Sequence, residues 1–339
     1  MIRGEIEKGQ QEGDAMKSSK RFPILRALAL GTLLLVASVA AAAGQGVVWR
    51  AMTIDQAVAE ASSSGKMVLV DVFSDHCGQC GVMDQEFWNT PAGADYADGM
   101  IPLKIDSATP DGYQFQIRYG VTGLPTTILI RPDGQELDRV VGYDGVQEFL
   151  TEAGPMKDGV DSLPVLEEQM AKSPQSADAI LAVMERYLFR KRLADAQSLS
   201  EKVLALDPDN KGKKAEKALM WLAKYMEFVD ANPAASYEYW KTMLDKYPTA
   251  TAAGSAVDHT CKQSATLGRR AEWIEWIAGI LEKQPQNGRL QYAAAISADR
   301  AGIRDIRFAK AARTARSLGV GSALMDSLAV RMEKGAAGK

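Results

Sequence analysis

Val68-Leu69-Val70-Asp71-Val72-Phe73-Ser74-Asp75-His76-Cys77-Gly78-Gln79-Cys80 decides how this chain folds. Its first half, with Met67 ahead of it, is an apolar run rich in β-branched residues. The breaker Ser62-Ser63-Ser64-Gly65 bounds it. That pattern predicts a buried central strand. Its second half sets two cysteines at the start of a helix expected to run through Met83 and Phe87 to about Thr90, with Pro91 beyond. The thiolate is the nucleophile of disulfide exchange. Unpaired N–H groups and the positive end of the helix dipole favour a thiolate at Cys77, which lowers its pKa below the free value of about 8.5. Cys80 falls one turn later on the same helix face and is expected to be better buried. Cys77 is therefore read as the attacking thiol and Cys80 as the resolving thiol.

Two other uses of the pair are weaker. A structural bridge closing so short a loop constrains the unfolded chain little. A metal site needs two further ligands at suitable spacing, and only Cys261, His76 and His259 remain. Cys261 lies far away in a helical segment and reads as a small buried hydrophobe.

Working outward, strand and helix signals alternate over residues 46–155. Thr53-Ile54-Asp55-Gln56 is a capping-box pattern that opens a helix ending at the Ser62–Gly65 breaker. Ile101–Ile105 reads as a strand and Gly112–Tyr119 as a short helix. Thr126–Ile130 and Glu136–Val141 read as two strands joined by the turn Arg131-Pro132-Asp133-Gly134. Gly145–Ala153 closes as a helix. The expected fold is a mixed α/β sheet covered on both faces.

These residues resemble the thioredoxin family. The strand, the Asp six residues before the first Cys and the C-G-x-C order follow its pattern. Gly120-Val121-Thr122-Gly123-Leu124-Pro125-Thr126 is similar to its cis-proline segment, and Val141-Gly142 to the glycine near its last strand. Gly142-Tyr143 followed by a helix containing Phe149 looks most like the C-terminal domain of the membrane-embedded thiol:disulfide interchange proteins. The resemblance covers about residues 48–155 and implies an α/β thioredoxin fold. It also implies that Asp71 is a buried acid beneath Cys80 that takes its proton, with a pKa raised by desolvation. The other reading of Asp71 is a strand-end carboxylate in water. Pro125 would be cis and would present the backbone of Leu124 beside Cys77 to a substrate strand.

The sequence departs from that family at two places. His76 stands where a Trp is usual. Protonated, it would stabilise the Cys77 thiolate; the alternative is an exposed histidine without a role. Gln79 stands where reducing members carry Pro and oxidising ones His. Potentials in the family span roughly −270 to −120 mV, and Gln79 does not locate this chain on that scale. His76, Gln79, Leu124 and Pro125 are the expected client-contacting residues.

From about residue 160 to 335 the signals are helical only. Counting Ala177 as one, Tyr187, Ala196 and Pro208 fall at 11, 20 and 32, the tetratricopeptide spacing of Tyr, Ala and Pro. Pro248 and Pro285 recur after 40 and 37 residues, a period longer than that repeat's 34. Met184 and Ser200 occupy positions where Gly and a large apolar residue are expected. The segment is read as a tetratricopeptide-like helical domain, with a generic helical bundle as the alternative. Trp240, Trp273 and Trp276 read as repeat packing.

Residues 1–45 read as a signal peptide and leader. Lys17, Lys20, Arg21 and Arg26 precede an apolar run from Ala27 to Val39. The small residues Ser38-Val39-Ala40 and Ala41-Ala42-Ala43 fit a cleavage site. The run is short for a membrane span, which needs about 20 residues. Met16 is a candidate start. The expected location is exported, periplasmic or extracellular, with retention by an N-terminal anchor as the alternative.

Across all 339 residues the net charge is −3 and no basic stripe appears, which gives no sign of a nucleic-acid partner. No phosphate loop or dinucleotide fingerprint points to a cofactor. The reading is an exported thiol–disulfide oxidoreductase whose partners are protein thiols and disulfides, with a helical domain that recruits client or redox partner. A membrane redox donor joins the partners if the potential lies at the reducing end. The alternative is a helical scaffold or peptide-binding protein with an accessory or inactive thioredoxin-like domain.

Overall fold

A computed structural model describes residues 46–337; the expected signal segment, with Met16, lies outside the described residues. The α/β part runs α1 (Ile54–Ser64), β1 (Val68–Phe73), α2 (Gly78–Met83), α3 (Pro91–Ala97), β2 (Ile101–Asp106), α4 (Pro110–Tyr119), β3 (Thr126–Ile130), β4 (Glu136–Val141) and α5 (Val146–Lys157). Helix α2 continues without a break into a π-helical turn, Asp84–Trp88. The strand order is β2-β1-β3-β4, with β1 parallel to β2 and antiparallel to β3, and β3 antiparallel to β4.

The period of two in β1 sorts its side chains onto both faces. Val68, Val70 and Val72 pack with Ala57, Ala61, Phe115 and Ile128 on one side. Leu69 packs on the other side with Met83, Phe87, Trp88 and Phe149. Asp71 shares the Leu69 face, which sends a carboxyl into an aromatic core. The helix boundaries follow local chemistry. Thr53 forms both halves of the capping box with Gln56. Helix α3 was not expected, because Pro91 reads as a stop. Here Pro91 occupies the first turn of a new helix, where a missing N–H costs nothing.

Ten helices follow: α6 (Ser162–Lys172), α7 (Ala177–Phe189), α8 (Leu193–Leu206), α9 (Lys214–Phe228), α10 (Pro233–Lys246), α11 (Ala253–Thr266), α12 (Arg270–Lys283), α13 (Gly288–Arg300), α14 (Ile306–Ser317) and α15 (Leu324–Ala337). The region from residue 162 on is all-helical. Pro208, Pro248 and Pro285 each lie two residues past a helix end, at α8, α10 and α12, where proline cannot continue the helix. Trp240 and Trp273 are fully buried in the helical core. Among the described residues no helix is long and apolar enough to cross a membrane.

The two regions are tied by charge and packing. Arg190 spans Asp161 (2.9 Å) and the Leu137 carbonyl (2.8 Å). Arg186 lies 3.1 Å from Asp138 on β4. Arg139, with no exposed surface, donates to the Gly120 carbonyl at 3.1 Å and sits 4.4 Å from the Phe189 ring of α7.

Candidate active site

The site is built where β1 ends. The chain leaves Phe73, turns through Ser74–His76 and enters α2 with Cys77 as its N-cap. The turn is closed by the Cys77 N–H to the Ser74 carbonyl (3.0 Å) and the His76 N–H to Ser74 Oγ (3.3 Å). Cys77 Sγ accepts the Cys80 N–H at 3.1 Å, so the sulfur already sits among the free N–H groups of the first turn. Cys77 and Cys80 are joined as a disulfide with Cα atoms 5.3 Å apart. Cys77 is half-buried, whereas Cys80 is 4% exposed.

Asp71 is 2% exposed. Burial pushes its carboxyl up to about 7; the charge of Asp84 adds to the rise and that of Lys104 opposes it. The parallel register pairs Asp71 with Lys104 on β2, and Lys104 Nζ stands 3.6 Å from Asp71 Oδ2. The same ammonium bonds Asp84, one turn beyond Cys80 on the same helix, and lies 4.8 Å from the Phe73 ring. The Trp88 indole N–H is near enough to favour the carboxylate, yet neither it nor Asp71 Oδ1 completes a hydrogen bond.

The Leu124–Pro125 peptide is cis. The register Val72↔Thr126 sets Pro125 level with Phe73, at the end of the sheet from which Cys77 emerges. The Pro125 carbonyl accepts the Gly142 N–H (2.8 Å), and Gly142 turns there with φ 89°, a conformation that suits glycine. Leu124 is half-buried, and among the described residues no hydrogen bond engages its N–H or carbonyl. Gln79 is exposed and donates to the Tyr143 carbonyl (3.3 Å), linking the cysteine turn to the end of β4. His76 is exposed, with no hydrogen bond to its imidazole among the described residues.

The structure thus gathers Asp71, Cys77, Cys80, Gln79, Leu124 and Pro125 at one end of the sheet, while His76 faces solvent. Two residues that sequence reasoning passed over join them, Lys104 and Asp84. A lysine inside the apolar run Ile101–Ile105 was the available signal for the first. Among the described residues, no group of three or more His, Cys, Asp or Glu side chains is placed to hold a metal ion. The arrangement suits two-electron chemistry at sulfur: an accessible sulfur at a helix start, a buried one behind it, and a carboxyl that titrates near neutrality.

A family profile described as thioredoxin-like matches residues 48–132. Thiol:disulfide interchange protein DsbD 2 of Pseudomonas aeruginosa is 29% identical over 85 residues, 24% of this chain and 14% of that protein. The chain spans only 14 to 17% of the length of the interchange proteins it matches. A thioredoxin of Chlamydia muridarum is 36% identical over 84 residues, 25% of this chain and 76% of that protein. Among solved structures, the oxidised C-terminal domain of Neisseria meningitidis DsbD is 24% identical. It covers 35% of this chain and 94% of that domain, with a TM-score of 0.26. Through residues 48–132, this chain belongs to the thioredoxin-like family.

Proposed function

We propose that the protein is an exported thiol–disulfide oxidoreductase acting on protein clients through Cys77 and Cys80. The observation that carries this reading is the asymmetry of the disulfide: Cys77 half-buried at a helix N-cap, Cys80 4% exposed behind it. In the reduced protein the Cys77 thiolate attacks a client disulfide. A Cys77–client bond forms and the first client thiolate leaves. Cys80 then gives its proton to the Asp71 carboxylate and attacks Cys77 Sγ. The Cys77–Cys80 bond forms and the second client thiolate leaves. The client has gained two electrons and the site has lost two; a dithiol donor restores it. Run in reverse, the same steps oxidise a client.

Asp71 suits the acceptor role because a carboxyl titrating at about 7 is partly ionised at neutral pH. Lys104 keeps that carboxyl ionisable despite its burial. The free main-chain groups of Leu124 suit a client strand laid beside Cys77. Residues 46–155 are the redox unit and residues 160–335 the unit that recruits a client or redox partner. Export rests on the basic and apolar pattern of residues 17–43. A membrane redox donor is the partner to seek if the potential is low.

The test is reduction of insulin disulfides by the intact protein and by Cys77→Ser. Equal activity in the two would refute the reading. Cys80→Ser should accumulate mixed disulfides through Cys77. If it traps none while the helical region still captures proteins, the chain is a scaffold with an inactive redox unit.

A further inference from the structure

A narrow cleft opens where the two regions meet. Gly120, Thr122, Gly123 and Val141 form one wall, and α7 and α9 the other, with Trp221 and Lys224 facing in. Its volume of about 50 Å³ is far below the roughly 300–1,000 Å³ of small-molecule sites, and admits part of one side chain.

The cleft borders the segment that carries the cis proline. Gly123 is two residues from Pro125, and its carbonyl accepts Thr126 Oγ1 at 2.7 Å. Val141 pairs with Thr126, is 37% exposed, and precedes the Gly142 whose N–H holds Pro125. Tyr143, two residues on, accepts from Gln79. A client strand lying on Leu124 therefore meets the cleft within a few residues of its reacting cysteine.

One charge in the cleft is only partly answered. Lys224 has no hydrogen bond or ion pair among the described residues, and burial pulls its pKa down. The acid acting on it is Glu227, whose carboxylate already sits 2.7 Å from His259 Nδ1 and takes the Gln263 side-chain N–H at 2.9 Å. Glu185 also lines the cleft, but its carboxylate accepts from Arg186 at 3.3 Å, and burial favours its protonated form. The walls are held in place by Arg139 against Phe189 and by Arg190 on Leu137, so little ordering remains to be done on binding.

We propose that this cleft is a client-specificity site: it receives an Asp or Glu side chain flanking the client cysteine, with the carboxylate on Lys224 and the stem against Val141 and Trp221. The proposal rests on the oxidoreductase reading and adds a substrate preference to it. The helical region would then select clients as a second wall of the substrate groove.

The experiment uses the full chain and disulfide-linked peptides with a single Asp moved along the positions flanking the cysteine, beside the same set with Asn. Rates are normalised to hydroxyethyl disulfide, which is neutral and too small to reach the cleft. One register should show kcat/KM about 10-fold higher for Asp than Asn. Lys224→Met should abolish that ratio, Lys224→Glu invert it towards peptides with Lys at the same position, and Lys224→Arg keep it. A ratio near one at every register, an equal gain at all registers, or a ratio that survives Lys224→Met overturns the proposal. No turnover of hydroxyethyl disulfide by the unaltered protein overturns the oxidoreductase reading instead.

Discussion

Lys104 Nζ stands 3.6 Å from Asp71 Oδ2 while it bonds Asp84, so one ammonium serves two carboxylates of unequal burial. Asp71 is 2% exposed and Asp84 is half-buried. The cation is a partial answer to the Asp71 charge, which is why burial still dominates and the carboxyl rises to about 7.

Asp71→Asn should slow the resolving step by roughly 10²-fold, the usual worth of a positioned base. The measurement is the rate at which Cys80 releases a reporter thiol from a preformed Cys77 mixed disulfide. In the unaltered protein that rate should climb as pH rises through about 7. In the variant this rise should be missing, leaving only the ionisation of the thiol. A rise that persists in the variant would assign it to another group.

The same carboxyl should destabilise the fold as pH rises. Its folded pKa of about 7 exceeds the unfolded value of about 3.9, so the folded state holds the extra proton between the two. Stability is full below about pH 4, falls from there to about 7, and is level above. The gap between the folded and unfolded values sets an upper bound of about 4 kcal/mol on that loss. Urea unfolding of the disulfide form should thus show Asp71→Asn more stable than the unaltered protein at pH 8, with the gap closing by pH 4. A gap that is constant with pH would contradict the assignment.

Lys104→Met removes the opposing cation and leaves Asp84 to push in the same direction as burial. The pH at which the resolving step turns on should move up by roughly one to three units, the span for loss of a close opposite charge. The pH profile separates this from a folding defect, which would lower the rate without moving the midpoint.

Arg139 is the most demanding residue of the junction. Its guanidinium bonds Glu136, the Tyr119 carbonyl and the Gly120 carbonyl, and faces Phe189. Arg139→Met keeps most of the bulk but strands those acceptors, and should cost about 3 kcal/mol, as for breaking a buried ion pair. Thermal unfolding should register it. A loss below about 0.5 kcal/mol, the level of a surface change, would mean the junction is wet.

The thioredoxin-like part was legible because its signals are local. The strand before Cys77, the cysteine pair and the Arg131–Gly134 turn each stand in one short stretch, and β3 and β4 begin and end where the pattern places them. Lys104 and Asp84 were missed because their partner is defined by strand register and by helix packing, not by neighbours in sequence. Helix α3 was missed because proline both stops a helix and starts one. In the helical region Pro208, Pro248 and Pro285 mark helix ends faithfully, yet the cleft beside Lys224 depends on how α7 and α9 dock on β4. No spacing encodes that docking.

Cys261 tests whether a thiol far from the site is inert. It is 2% exposed, its Sγ lies 3.6 Å from the Ser297 carbonyl, and burial pushes its pKa to about 11. Against a free value of about 8.5 this leaves on the order of 10²-fold less thiolate at neutral pH, before access is counted. Brief iodoacetamide treatment of the reduced native protein should therefore label Cys77 well ahead of Cys261, read by peptide mass. Denaturant should bring Cys261 into reaction. Cys261→Ala should leave the Cys77–Cys80 reduction potential unchanged and cost about 1 kcal/mol of stability, the scale of a small group deleted from a core. Labelling of Cys261 at the Cys77 rate, or a shifted potential, would instead give this thiol a part in the redox cycle.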